Sequence, residues 1–231
     1  MLKQWEELPN FMKTDEVYPY WEALNKKRGQ LLLKRAFDIC IAFLLIIILL
    51  IPMLIIAIWI KIDSKGPIFY RQERVTTYGR HFHIHKFRTM VSNADKLGTA
   101  VTVGRDPRIT KVGAKLRHIR LDELPQLIDI LQGTMSFVGT RPEAVKYVEK
   151  YKSEWNATLL LPAGITSECS IRYKDEDKLL DEADDVDFVY VNQILPNKMR
   201  WNLKSMKCYS FRQDVKTMFY TVLAVLGKEY K

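Results

Sequence analysis

The chain has 231 residues, enough for one compact domain and a membrane element. Its formal net charge is +9, but the stretch 175–187 takes eight of the 27 acids and one of the 36 bases, which leaves a balance of +16 elsewhere. Three widely spaced cysteines (Cys40, Cys169 and Cys208) with no Cys-x-x-Cys pair exclude a disulfide framework and fit a reducing compartment.

Residues 1–33 form a polar N-terminal arm with scattered aromatics, Trp5, Phe11, Tyr18, Tyr20 and Trp21. Aromatics beside basic residues suit a membrane interface, and a flexible arm is the alternative. The run Ile39–Ile60 contains no charge. As a helix its 22 residues extend roughly 33 Å, about the thickness of a bilayer core. It begins too deep in the chain, and is too long, to be a signal peptide.

Pro52 lies past the middle of this run, where it removes a backbone hydrogen bond and favours a bend. Lys26, Lys27, Arg28, Lys34 and Arg35 precede the run, and Lys61 and Lys65 follow it. Two readings are open at this point. A straight span tolerates Pro52; a segment that enters, bends and returns keeps both basic ends on the cytoplasmic side. Asp38 lies just inside the run, and a pair with Arg35 at i,i+3 spacing would offset its charge.

After the apolar run, 63–67 is a turn, Ile68–Gln72 a short strand, Tyr78-Gly79-Arg80 a hairpin turn and His81–Met90 a returning strand. Residues 92–108 form a polar loop. A helix with a basic face is expected over 109–121, and a second from about Asp122 to Leu131, ended by Gly133. Met135–Val138 reads as a strand, about Glu143–Trp155 as a helix, 175–185 as an acidic helix and 212–226 as an amphipathic helix.

Three constellations can carry chemistry. In Leu121-Asp122-Glu123-Leu124-Pro125-Gln126, Pro125 fits the first turn of a helix, which places Asp122 at or beside its N-cap. A carboxylate there should be ionised, and the same helix end favours a bound phosphate or a metal-bound phosphate cluster. Lys86, Arg88, Arg117, Arg120 and Arg141 form three basic clusters around this acid pair, and arginine gives bidentate contacts to phosphate oxygens. His81, His83 and His85 share one strand face and could hold zinc, but no cysteine is close, and a partly exposed face is favoured. The chain has no Gly-x-x-x-x-Gly-Lys-Ser/Thr, no helix-opening Gly-x-Gly-x-x-Gly, no Gly-x-Ser-x-Gly and no His-Glu-x-x-His.

In this order, Lys34-Arg35-Ala36-Phe37-Asp38, Gly66-Pro67-Ile68-Phe69 with Arg71-Gln72, Lys86-Phe87-Arg88-Thr89-Met90, Asp122-Glu123-Leu124-Pro125-Gln126, Met135 to Pro142 and Gly164-Ile165-Thr166 resemble the bacterial sugar transferases, the small monotopic phosphoglycosyl transferases that act on polyprenyl phosphate. The resemblance implies an α+β fold: a mainly helical cytoplasmic catalytic domain with a small β-hairpin, one re-entrant membrane helix bent at Pro52, and interfacial amphipathic helices. It divides the chain into an arm (1–33), the re-entrant helix (34–62) and the catalytic domain (63–231). It implies transfer of a phosphosugar from a UDP-sugar to polyprenyl (undecaprenyl) phosphate with release of UMP, initiating cell-surface glycan assembly at the cytoplasmic face of the bacterial inner membrane. Asp122 would be the nucleophile that forms a phosphosugar–aspartyl intermediate and the residue that binds Mg2+, with Glu123 as the second dyad member. Lys86, Arg88, Arg117 and Arg141 would face the phosphates.

Three departures from the family's pattern bear on the membrane bend and on sugar identity: Ile51 stands before the central proline where many members have serine, Thr134 stands in Gly133-Thr134-Met135-Ser136, and Ala163 stands in Leu161-Pro162-Ala163-Gly164. A non-catalytic membrane scaffold for polysaccharide assembly is the alternative function. A nucleic-acid partner is not expected, since no recognition motif is present. A homodimer is left open.

Overall fold

The computed structural model describes residues 2–94, 106–173 and 185–226. Most of the loop expected over 92–108, and nearly all of the acidic helix expected over 175–185, lie outside the described residues.

After a short helix α1 (Tyr18–Asn25), helix α2 (Arg28–Asp63) carries the whole apolar run in 36 residues, or about 54 Å, and continues unbroken through Pro52. It is long and apolar enough to cross a membrane. One stripe of α2 packs on the rest of the chain. Ala42, with Leu45 and Leu49, meets Phe82, Ile84, Leu127, Ile130 and Met135; Ile56 and Ile60 meet Phe87, Val112 and Leu116. The opposite stripe, including Phe43, Ile47, Ile51, Leu54, Ile58 and Ile62, is exposed. The packed positions recur every three or four residues, the period of one helix face, and the stripe runs past Pro52 without a break.

The expected Arg35–Asp38 pair does not form. Arg35 instead donates to the carbonyls of Ile130 and Leu131 at 2.6 and 3.0 Å. Asp38 accepts from Ser136 Oγ at 2.7 Å and lies 4.0 Å from Lys34, which pairs with Asp214 at 2.9 Å. The physical reason is that the lysine four residues earlier and a buried serine reach Asp38, while the orphan carbonyls at a helix C-terminus compete for the arginine.

Strands β1 (Phe69–Val75) and β2 (His81–Phe87) form an antiparallel hairpin with Phe69 opposite Phe87 and Val75 opposite His81. Phe82 and Ile84 face inward and His81 and His83 outward, the period of two expected of a strand with one buried face. At the tip, Tyr78 and Gly79 take positive φ. Phe11 lies against Gly79, where an added Cβ would come within 2.8 Å of its ring.

Helix α3 (Lys111–His118) is capped by Thr110, whose side chain accepts from Gly113 N at 3.0 Å. A 3-10 turn (Leu121–Glu123) leads into α4 (Gln126–Gln132), which Gly133 ends in the left-handed region at φ 82°. Strand β3 (Met135–Val138) runs parallel to β4 (Ala163–Thr166).

The helix expected from Glu143 to Trp155 is broken. A single turn, α5 (Val145–Val148), is followed by a 3-10 segment (Ser153–Leu160). Trp155, Ala157, Leu159 and Leu160 turn into the largest core, so burial overrides local periodicity. Leu2, Leu8, Met12, Val17, Trp21 and Leu24 pack into the same core, so the leading segment, read as an interfacial or flexible arm, is an integral layer. After α6 (Glu168–Arg172) and α7 (Val186–Val189), a π-helical turn (Tyr190–Ile194) enters α8 (Leu195–Lys207). Helix α8 has no counterpart among the elements expected from the sequence, although Leu195, Met199, Leu203 and Met206 recur at helical spacing. Helix α9 (Phe211–Val225) lies close to its expected position.

Candidate active site

The acid pair sits where α2, β2 and α4 converge. Arg120 takes the left-handed conformation at φ 57° and starts the 3-10 turn, with the Glu123 amide donating back to its carbonyl at 3.3 Å. Pro125 is helical and is the N-cap of α4, without a side-chain cap bond. Asp122 is therefore not the side-chain cap expected from the sequence. It sits on a separate turn, and it and Glu123 are each 8% exposed.

The two carboxyls have different partners. Glu123 Oε1 accepts from Lys86 Nζ at 3.1 Å and from Arg141 Nη2, and Oε2 accepts from Arg141 Nη1 at 3.4 Å. Burial acts to raise the Glu123 carboxyl, but Arg141 and then Lys86 outweigh it and hold it well below the usual range. For Asp122 the balance is reversed. Burial raises its carboxyl above the usual range, Lys86 opposes that, and the Glu123 charge adds to it. Burial also lowers the Lys86 ammonium, against the attraction of Glu123.

Lys86 and Arg141 are each tethered from behind. His85, beside Lys86, places its backbone N–H 2.9 Å from Asp129 Oδ2 and its Nδ1 2.7 Å from Asp129 Oδ1. Arg71 donates to His85 Nε2 at 2.6 Å. An arginine only donates, so Nδ1 carries the proton toward Asp129. Arg141, in the segment after β3, also donates to the Ile165 carbonyl at 3.4 Å.

These groups line an open cleft of about 2260 Å³. Its lining is charged at Lys86, Arg117, Asp122, Glu123 and Arg141, and apolar at Leu45 and Leu49 of α2 and at Val225 and Leu226 at the end of α9. Arg117 lowers the Asp122 carboxyl through space. Arg88 also lines the cleft, but it is turned to the end of α2, where Nη2 donates to Ser64 O at 2.6 Å and Ser64 Oγ at 2.9 Å. Of the five site residues other than Asp122 itself, hydrogen bonds thus join Lys86, Glu123 and Arg141, charge adds Arg117, and Arg88 is engaged elsewhere. His85 as a structural partner, and Asp129, Glu143, Tyr190 and Lys198 altogether, are not marked by any motif in the sequence. Only a pairing across elements distant in sequence could have found them.

Among the described residues no three His, Cys, Asp or Glu side chains gather as a metal site. His81 pairs with Glu73 at 3.0 Å, so the histidine strand divides its partners between Glu73 and Asp129. A magnesium ion fits the Asp122 site in one form. With the Glu123 oxygens engaged by Lys86 and Arg141, Asp122 is the carboxylate left to a cation, whose other ligands would be substrate phosphates and water, a donor set that suits magnesium.

Comparison with known proteins gives a consistent picture. Residues 29–228 match the family described as bacterial sugar transferase. A Bacillus subtilis protein provisionally named an undecaprenyl-phosphate N-acetylgalactosaminyl 1-phosphate transferase is 40% identical over 130 residues, 56% of this chain and 73% of that protein. The Escherichia coli UDP-glucose:undecaprenyl-phosphate glucose-1-phosphate transferase is 36% identical over 196 residues, 83% of this chain and 39% of that protein. An Aeromonas hydrophila UDP-N-acetylgalactosamine-undecaprenyl-phosphate N-acetylgalactosaminephosphotransferase is 39% identical over 122 residues, 53% of this chain and 29% of that protein. The chain thus spans well under half the length of the last two.

Proposed function

Because the chain belongs to the bacterial sugar transferase family, we propose that it moves a sugar phosphate from a UDP-sugar to a polyprenyl phosphate of the undecaprenyl type, initiating assembly of a cell-surface glycan. The observation that carries this reading is the division of labour in the dyad. Glu123 is neutralised by Lys86 and Arg141, while Asp122, equally buried, is left as a carboxylate in a cleft whose basic lining residues suit phosphates.

In the proposed reaction an Asp122 oxygen attacks the phosphorus that bears the sugar. The new O–P bond forms as the bond from that phosphorus to the bridging oxygen breaks, and UMP leaves with the bonding electron pair. A phosphate oxygen of the lipid then attacks the same phosphorus, and the Asp122 carboxylate is released unchanged. A carboxylate nucleophile divides one hard displacement into two. Phosphoryl transfer asks mainly for positioning and charge neutralisation, which Lys86, Arg117 and Arg141 supply. Magnesium held at Asp122 would neutralise further charge on the donor diphosphate. Glu123 fixes the two cations and, fully engaged, takes no part as a base.

The proposed membrane arrangement is supported by α2. Its packed stripe runs from Asp38 to Ile60, about 33 Å, against one globular body. A helix crossing the bilayer upright would carry that body, with its buried carboxylates, into hydrocarbon. A shallow or re-entrant helix, with both ends at the cytoplasmic face of the bacterial inner membrane, keeps the exposed stripe in lipid and the cleft at the surface. On this reading the apolar part of the cleft lining, Leu45, Leu49, Val225 and Leu226, would receive the lipid acceptor. The test is UMP release from a UDP-sugar by membrane-extracted protein. Release should reach up to one equivalent of enzyme without acceptor, turn over with polyprenyl phosphate, and vanish in Asp122→Asn. A fully active Asp122→Asn protein would sink the proposal.

A further inference from the structure

Two residues beyond Arg141, the chain buries a second carboxylate that the reaction does not use. Glu143 Oε1 accepts from the Tyr190 hydroxyl at 2.8 Å and from Lys198 Nζ at 3.1 Å, and Lys198 also donates to the Tyr190 oxygen at 2.8 Å. Glu143, Tyr190 and Lys198 are 7%, 2% and 6% exposed. Burial would raise the Glu143 carboxyl, but Lys198, then the Tyr190 hydroxyl and Arg74, hold it below the usual range, so it stays ionised. The Glu143 carbonyl also accepts from Val75 N at 3.1 Å, which ties this segment to the end of β1.

A buried ion pair is a poor way to gain stability, because desolvation offsets the attraction and apolar residues of the same volume often do as well. What it adds is direction. The knot is closed by an unusual piece of backbone, since Tyr190 opens the π-helical turn and Lys198 lies eight residues on, within α8. In a regular α-helix residues eight apart differ by about 80° around the axis. One extra residue in a wide turn reduces that to roughly 20°, and both side chains reach one face. The rare turn thus serves the Lys198–Tyr190–Glu143 contact.

The beneficiary is Arg141. It is drawn forward to Glu123, and Arg74, a half-buried like charge, acts on both Arg141 and Glu143. Glu143 sits two residues behind, where its negative charge offsets Arg74 and its anchored backbone limits where Arg141 can swing. We infer that Lys198 and Tyr190, acting through Glu143, are positioning residues for Arg141, which set the guanidinium against Glu123 and the donor phosphates. This rests on the proposed reaction only for the identity of the ligand that Arg141 meets.

The test is a double-mutant cycle on the full chain in lipid nanodiscs. Lys198→Met alone would strand a buried carboxylate at a cost to the fold, so the charge-balanced pair Glu143→Gln with Lys198→Met is used. It is made in the wild-type and Arg141→Ala backgrounds. Expected is a fall in UMP release of about 10-fold or more in the wild-type background and under about 2-fold with Arg141→Ala, with Lys198→Arg retaining most activity. An equal fall in both backgrounds, or no fall in either, overturns the inference. The same cycle is read on UDP binding by calorimetry. A wild-type chain that binds UDP but releases no UMP defeats the proposed reaction alone, and the binding cycle still decides the inference. A wild-type chain that neither binds UDP nor releases UMP defeats both.

Discussion

Asp122 and Glu123 are adjacent and equally buried, yet their carboxyls are displaced in opposite directions, Asp122 upward and Glu123 downward. The difference lies in who donates to them. Both cations bond Glu123, and Asp122 receives their field without their hydrogen bonds.

That relationship sets a pH dependence. In the proposed reaction Asp122 must be ionised to attack, so UMP release is expected to rise with pH as it deprotonates. Burial raises its pKa, which puts the midpoint of the acid limb of kcat/KM above the ordinary aspartate value of about 3.9. Lys86 opposes the shift, so Lys86→Met moves the limb further toward higher pH. A limb that stays in place or moves down in Lys86→Met, measured over pH 4 to 9, contradicts this account.

The same pair predicts opposite effects on stability. Glu123→Ala leaves Lys86 and Arg141 facing each other without a counter-charge and should cost about 3 kcal/mol, or roughly 6–12 °C in unfolding midpoint. Asp122→Asn removes a buried charge that the fold disfavours, and its midpoint should be unchanged or higher. Thermal unfolding in one detergent compares them, and a larger loss in Asp122→Asn would reverse the assignment.

Gly164 bears on the site through backbone approach. A Cβ there would lie 2.2 Å from Gly139 N and 2.3 Å from Gly139 O, in the segment that leads to Arg141. Gly164→Ala should cost about 1–3 kcal/mol by forcing β3 and β4 apart, and UMP release should fall with it. Wild-type melting and activity in this variant would show that the segment yields freely.

The membrane reading predicts that reporter tags at the two termini appear on the same face of the inner membrane. Tags on opposite faces would restore an upright span.

The sequence carried some of this plainly. The apolar run, the alternating hairpin, Gly133 as a helix stop and the Asp122-Glu123 pair are local patterns, and local patterns survive folding. Lys86 and Arg141 were found because they sit in motifs. Their tethers were not, because Asp129–His85 and Glu143–Lys198 join residues 44 and 55 positions apart. Arg35 shows the converse: its spacing to Asp38 was right for a pair, but a distant helix end competed for the guanidinium. The helix expected over Glu143–Trp155 failed for the same reason, as its apolar residues were needed in a core that also includes Leu2 and Trp21.

The two stripes of α2 also fix its rotation. A slip of one residue along its own axis turns a helix by about 100°, enough to carry Ala42 and Ile56 out of their seats and bring side chains shaped for lipid against Phe82 and Leu116. The helix therefore has one workable register on the domain, and on the proposed reading Asp122 has one working depth. Any difference between that depth and the local bilayer thickness would have to be absorbed by the lipid, by bending or thinning around the protein.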